Sequence, residues 1–277
     1  MRFSNKIVWI TGGGSGLGAA LALELAKQGA HIALSGRRAE RLQAVAQQLQ
    51  ALGKDALVVP CDVTQPEQLQ AAVQQVISHF HQLDVVIANA GFAVGGRIET
   101  LQQEDWQRQF NVNVIGLAQT AQVALPYLEK TQGRVVLIGS VAAFAYAEKA
   151  GPYCASKAAV DIIGRTLSLE LIGTGVSCTT IHPGYVESEI AQVDNHGVFH
   201  ADAKDKRPAS LMWPADKAAR VMAHAIFKRR RVYVFTMHGK LIAWLGRHVP
   251  WLIHLCLGWK IRNRKRQIKT PFLPPDH

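Results

Sequence analysis

The chain has 277 residues, of which 48% are hydrophobic and 18% charged. That is enough apolar material for a real core and too little charge for a disordered chain. Residues 1–203 hold 14 Lys and Arg against 17 Asp and Glu, whereas residues 204–277 hold 17 against 3, so the net charge of +11 comes from the last quarter.

Ile7–Ile10 reads as the first strand. A strand this early leaves no room for a cleavable signal peptide, so a reducing cytoplasmic setting is expected. Helix Leu17–Gln28 follows, then strand Ala30–Ser35 and helix Ala39–Leu52. Strand Ala56–Val59, helix Pro66–Phe80 and strand Val85–Ala88 continue the alternation. Glu104–Leu128 reads as one long helix, followed by strand Val135–Ile138, helix Tyr153–Leu171 and strand Val176–Ile181. Helix Pro214–Lys228 and strand Val232–Phe235 close the series. The strands are continuously apolar more often than alternating, as strands covered on both faces should be. Repeated strand–helix–strand units predict an α/β fold: a Rossmann-type doubly wound parallel sheet of about seven strands with helices on both faces. Glu187–Trp213 is polar and has no clear period. A loop of that length inside a compact domain is usually functional, often as a lid.

Two domains are expected: an α/β domain over 1–237 and a basic, apolar extension over 238–277. From Lys240 to Trp259, Leu241, Leu245, Leu252, Leu255 and Trp259 recur at helical spacing. Lys240, Ala243, Arg247 and His254 fall opposite. The length would span a bilayer, but Arg247, His248 and Pro250 near the middle make spanning costly, by about 2.5–3.5 kcal/mol for the arginine alone. Lying flat costs less, with Trp244, Trp251 and Trp259 at headgroup depth and Lys260, Arg262, Arg264, Lys265, Arg266 and Lys269 following at once. Three readings stay open: contact with the cytoplasmic face of a membrane, a core-covering or dimer-forming helix, and nucleic-acid binding. Only charge speaks for the last, and no nucleic acid is expected.

Three motifs carry chemistry. Thr11-Gly-Gly-Gly-Ser-Gly-Leu-Gly18 joins the first strand to the first helix. Its glycines admit a pyrophosphate, and the helix N-terminus offers free N–H groups and positive dipole charge. The spacing Gly12, Gly16, Gly18 departs from the general GxGxxG pattern. At the end of the second strand, an NAD-binding chain usually carries a carboxylate for the ribose 2′-OH. Here Gly36 is followed by Arg37 and Arg38. They suit a 2′-phosphate, the alternative being a solvated helix start, although positive charge opposes the dipole there. Tyr153 and Lys157 share a helix face at i, i+4. A nearby cation stabilises phenolate, which makes a tyrosine usable as a general acid.

Taken together, these motifs resemble the short-chain dehydrogenase/reductase family over about residues 5–235. Asn89-Ala90-Gly91, Asn113, and Ser140 thirteen residues before Tyr153 fit the same pattern, as do Asp62-Val63 and Pro183-Gly184. The resemblance implies that Tyr153 exchanges a proton with a substrate carbonyl, that Lys157 lowers the Tyr153 pKa and holds the nicotinamide ribose, and that Ser140 positions the carbonyl. Asn113, chosen over Asn111 by the pattern N-x-x-G, would hold a relay water. Gly12, Ser15, Gly16, Leu17, Gly18, Arg37, Arg38, Asp62, Val63, Asn89, Ala90, Gly91, Pro183, Gly184, Val186 and Ser188 would line the cofactor with Tyr153 and Lys157. For Asn89, Asn113 and Ser188 the alternative is a turn- or sheet-stabilising role. Cys154 and His182 read as structural, and no metal site is expected.

The implied activity is NADP(H)-dependent interconversion of a carbonyl and a secondary alcohol. A hydrophobic or lipid-like ketone is the expected substrate, 3-ketosphinganine-like from the stretch Gly91–Arg97 or 3-oxoacyl-like. The implied assembly is a homodimer or homotetramer through the helices bearing Asn113 and Tyr153. The alternative is a non-catalytic NADP-binding sensor or scaffold, against which the complete Ser/Tyr/Lys/Asn set speaks.

Overall fold

The computed structural model describes residues 1–269 except residue 206, and only the backbone of residues 264–269. The predicted basic side chains Arg264, Lys265, Arg266 and Lys269, and the end of the extension at 270–277, lie outside the described residues.

Seven strands form one parallel sheet: β1 (Ile7–Thr11), β2 (His31–Gly36), β3 (Ala56–Pro60), β4 (Val85–Ala88), β5 (Arg134–Ile138), β6 (Ser177–His182) and β7 (Val232–Val234). Their spatial order is β3-β2-β1-β4-β5-β6-β7. The strands alternate their side chains between two cores. Val8 and Ile10 of β1 join Val85 and Ile87 of β4 on one face. Ile7 and Trp9 join Val86 and Ala88 on the other. Because both faces are covered, these strands carry no polar side, and each fully buried Leu or Ile contributes about 1.5–3 kcal/mol.

Helices α1 (Gly16–Lys27) and α2 (Ala39–Ala51) cover the first face. Helix α3 (Pro66–Phe80) covers the second. Pro66 fits the first turn of α3, where a missing N–H costs nothing. The helix ends where His81 turns left-handed at φ 62°.

The single helix predicted over Glu104–Leu128 is instead three pieces: α4 (Gln103–Phe110), a π-helical turn Asn111–Gly116, and α5 (Leu117–Thr131). The reason is tertiary. Gly116 is pressed against Val63 in the turn beyond β3, where a Cβ would come within 2.7 Å of the Val63 carbonyl oxygen. Asn113 is pinned to the backbone of Phe92 at the same point. Helix α6 (Gly151–Glu170) then runs back under the sheet, and α7 (Ala215–Phe227) packs against α1.

The C-terminal segment folds as two helices, α8 (Met237–His248) and α9 (Pro250–Lys269), rather than one over Lys240–Trp259. Pro250 disfavours helical backbone at the residue before it, and Val249 leaves the helix at φ −140°, ψ 56°. Among the described residues no helix is long and apolar enough to cross a membrane.

The strand order reverses between β1 and β4. The crevice beyond the C-terminal strand ends at such a reversal is where open α/β sheets bind ligands.

Candidate active site

A cleft of about 690 Å³ opens at that crevice. The glycine turn forms its floor. Gly12 adopts φ 66° and Gly16 φ 50°, conformations that side chains rarely tolerate. A Cβ on Gly18 would run into the Gly12 carbonyl oxygen and come within 2.6 Å of the Asn89 amide. Ser15 and Leu17 complete the turn and line the cleft. Ser15 stands at the N-terminus of α1 in extended backbone without a side-chain cap, leaving the first amides for a ligand.

Asn89 ties β4 to this turn. Its Nδ2 donates to the Thr11 and Gly12 carbonyls at 3.1 and 3.0 Å. Ala90 and Gly91 follow it along the cleft wall. Asp62 and Val63 line the wall beyond β3, with Asp62 Oδ1 accepting from the Thr64 amide and hydroxyl at 2.9 and 2.8 Å.

Gly36 ends β2 without a side chain, and a Cβ there would meet Leu42 at 3.6 Å; Arg37 and Arg38 follow it along the cleft. Arg37 is exposed and donates to the Gly197 carbonyl at 3.0 Å. Arg38 donates to Ser15 Oγ at 3.0 Å and to Glu189 Oε2 at 2.6 Å. Partial burial of Glu189 works against its ionisation. Hydrogen bonds from Arg38 and Ser15, with the charges of Arg38 and Arg41, outweigh it and hold the carboxyl below its usual range.

The other end of the cleft carries Ser140, Tyr153 and Lys157. Ser140 leaves β5 in extended backbone and caps the turn Val141–Ala143, its Oγ accepting from the Ala142 amide at 3.1 Å. Tyr153 and Lys157 sit in the first two turns of α6 on one face, where Pro152 fits the helix start. Burial pushes the Tyr153 phenol above its ordinary value. A hydrogen bond from Ser140 pulls it down, Cys154 raises it, and Arg207 lowers it. The Lys157 ammonium does not address the phenol directly. It donates to the Ile138 carbonyl at 2.9 Å and lies 5.9 Å from the centre of the Tyr153 ring. Burial lowers its pKa from 10.5 to about 8.

Asn113 is fully buried. Its Oδ1 accepts from the Phe92 amide at 3.1 Å, and its Nδ2 donates to the Phe92 carbonyl at 3.0 Å and Ser156 Oγ at 3.2 Å. The amide therefore faces the neighbour of Lys157, not Lys157 itself. Pro183, Gly184, Val186 and Ser188 form the opposite wall. The Pro183 carbonyl accepts from the Val141 amide at 2.9 Å. Ser188 lies against Gly16, its Cβ 3.2 Å from where a Gly16 Cβ would stand.

His182, read from the sequence as structural, is fully buried behind Ser140. Its Nδ1 lies 3.0 Å from the Ser140 carbonyl, which only accepts, so that nitrogen carries a proton. Its Nε2 lies 3.0 Å from Asp161 Oδ1 but out of hydrogen-bond alignment. Asp161 in turn accepts from Arg165 Nε at 2.7 Å. The predicted lid at 187–213 bends over the cleft and supplies Glu189, Phe199 and Arg207. Phe199 lies under Arg38 and Arg41, with guanidinium carbons 5.3 and 5.9 Å from the ring centre. Arg207 donates to the Val186 and Ser188 carbonyls, both at 3.1 Å. No local pattern marks these residues. Cys154 is half-buried, and burial raises its thiol pKa.

A glycine-floored cleft with free helix amides at its base, cations at one end and Ser, Tyr and Lys at the other fits a nicotinamide dinucleotide. A family model for short chain dehydrogenases matches residues 6–198. The chain belongs to the short-chain dehydrogenase/reductase family. It is 39% identical over 194 residues to an uncharacterized oxidoreductase of Staphylococcus aureus (strain USA300), covering 69% of this chain and 83% of the relative. A short chain dehydrogenase of Burkholderia cenocepacia in complex with NADP superposes with TM-score 0.74 at 31% identity, covering 85% of this chain and 98% of that one. A short chain dehydrogenase/reductase of Burkholderia phymatum in complex with NAD superposes with TM-score 0.77 at 25% identity, covering both chains fully. Family members thus bind either dinucleotide, and this short-chain dehydrogenase/reductase is an oxidoreductase by membership.

Proposed function

We propose that this oxidoreductase uses NADP(H) and interconverts a hydrophobic ketone and its secondary alcohol. The observation that carries the cofactor choice is the end of β2. Gly36 brings no side chain to the cleft there, Arg37 and Arg38 line it beside Gly36, and β2 ends without the carboxylate that would repel a 2′-phosphate.

A nicotinamide dinucleotide held in this cleft would supply or accept a hydride at the substrate carbon. The chain's own residues handle the proton and the geometry. Tyr153 gives its phenolic proton to the developing alkoxide oxygen in reduction and takes it back in oxidation. Ser140, beside the phenol, donates to the same oxygen and fixes its position. Lys157 brings a buried positive charge beneath the site, which favours phenolate once the proton has left. Asn113 holds Phe92 and the π-helical turn, and His182 holds the backbone of Ser140. Gly12, Ser15, Gly16, Leu17 and Gly18 take the pyrophosphate, Asp62 and Val63 the adenine, and Ser188 the carboxamide end.

The substrate is a lipid-like ketone, of 3-ketosphinganine or 3-oxoacyl type. The basic extension at 238–277 is its contact with a membrane surface on the cytoplasmic side. Ile115, Ile162, Leu169 and Ile172 are exposed on and beside the π-helical turn and α6. They support a homodimer or homotetramer joined through these helices.

Fluorescence titration with NADPH and NADH tests the cofactor choice. The expected result is NADPH preference that collapses in Arg37→Ala. Equal binding of both by the wild type, or a preference for NADH, would overturn it.

A further inference from the structure

We infer that α8 and α9 form an in-plane docking surface for an anionic lipid bilayer, fixed to the segment that follows Ser140. This deepens the membrane-contact reading of the extension by naming the lipid charge, the side chains that enter and the attitude of the helices.

The exposed faces of the two helices are apolar in stripes. On α8, Met237, Leu241 and Trp244 recur at i, i+4, i+7 and are exposed. On α9, Trp251, Leu255 and Trp259 recur at i, i+4, i+8 and are exposed. Leu245 and Leu252, which the sequence placed in the same stripe, are half-buried instead. Trp244, Trp251 and Trp259 are 55%, 62% and 65% exposed, whereas Trp9 is fully buried. Tryptophans left in water on adjacent helices need an occupant, and their amphipathic rings suit the headgroup level of a bilayer.

Charge selects that occupant. Lys240, Arg247, Lys260 and Arg262 are exposed around the stripes. The sequence has no Asp or Glu between Asp216 and Asp276. A two-fold contact between copies of this chain would set that basic patch against itself, which like charges oppose. An anionic lipid surface attracts it. Since no described helix can cross the bilayer, the pair lies in its surface.

The pair is held rigidly at the active site. The Thr236 hydroxyl caps α8 at the Gly239 amide, 3.1 Å away. The Tyr185 amide, between cleft residues Gly184 and Val186, donates to His238 Nε2 at 3.1 Å. Gly246 packs on the Phe144 carbonyl so closely that a Cβ there would overlap it. The Arg247 guanidinium lies 4.1 Å above the Phe144 ring, and the Tyr146 hydroxyl donates to the Pro250 carbonyl at 3.4 Å. Phe144 and Tyr146 follow Ser140 by four and six residues. Lipid docking would therefore hold the wall of the catalytic cleft at the membrane surface.

The test is co-sedimentation of the full chain with phosphatidylcholine vesicles and with vesicles containing one third phosphatidylglycerol, read together with tryptophan emission. The expected result is at least about tenfold stronger partition onto the anionic vesicles, a blue shift of emission on binding, and loss of binding at high salt. The triple variant Trp251→Glu, Leu255→Glu, Trp259→Glu keeps its circular dichroism and dinucleotide affinity and loses the partition. Equal partition onto both vesicle types overturns the lipid-charge inference while leaving membrane contact standing. Absence of partition overturns both. Self-association in gel filtration that the triple variant abolishes would assign the surface to a second copy instead. Each readout is independent of turnover.

Discussion

Lys157→Met should make the protein more stable while removing its activity. Lys157 is buried, and its folded-state pKa of about 8 lies below the ordinary 10.5. That gap corresponds to about 3 kcal/mol of folding free energy at pH 7. The methionine loses the ammonium's charge-assisted hydrogen bond to the Ile138 carbonyl, which costs about 1.5–3 kcal/mol. The net expectation is stabilisation of up to about 1.5 kcal/mol below pH 8. The pH dependence follows from the direction of the shift. The unfolded chain holds this proton more tightly than the folded one. As pH rises from about 8 toward 10.5, the wild type therefore gains stability relative to the variant, and the difference closes. Urea unfolding of both proteins without dinucleotide, at pH 7 and pH 10, measures this directly, since all other titrations are common to both. A variant less stable than wild type at pH 7, or a difference that does not change with pH, would refute the buried-ammonium argument.

Two further perturbations probe the dinucleotide cleft. Gly18→Ala places a Cβ against the Gly12 carbonyl and the Asn89 amide, so it should lower stability by about 1–3 kcal/mol and weaken NADPH binding at least about tenfold; denaturant unfolding and titration report both. Glu189→Gln frees Arg38 from a carboxylate 2.6 Å away. Both groups are partly solvated, so NADPH affinity should rise by no more than about tenfold while NADH affinity changes little. A loss of NADPH affinity would show that Glu189 organises the phosphate corner instead of competing for it.

The parts of the fold that follow from local rules were readable in the residues. Apolar runs such as Val85–Ala88 can be strands only if both faces are covered, and they are. Their alternation with helices then implied the parallel sheet. The break in the long helix at Asn111–Gly116 was not readable, because contacts with Phe92 and Val63 impose it from elsewhere in the chain. Pro250 counted against a continuous span, but the apolar spacing across 240–259 runs through it and does not show that the proline starts a second helix. The site divides in the same way. The glycine turn and the Tyr153/Lys157 pair need fixed local spacing, so their motifs are legible. Glu189 lies 151 residues from Arg38 and Arg207 nineteen from Ser188; nothing near either in sequence announces that the lid folds its charges onto the cleft. The expected influence of Lys157 on Tyr153 is also context-dependent. Burial dominates the phenol, and the ammonium is turned toward Ile138.

Tyr153 is proposed as the proton donor in an NADPH-dependent reduction. The decisive measurement is NADPH oxidation with a panel of hydrophobic ketones by the wild type and by Tyr153→Phe, with NADPH affinity measured for both. The expected result is turnover by the wild type, a loss of about 10²–10⁴-fold in kcat for the variant, and NADPH affinity unchanged within about threefold. Comparable turnover by wild type and variant, or tight NADPH binding with no ketone reduced by the wild type, would contradict it.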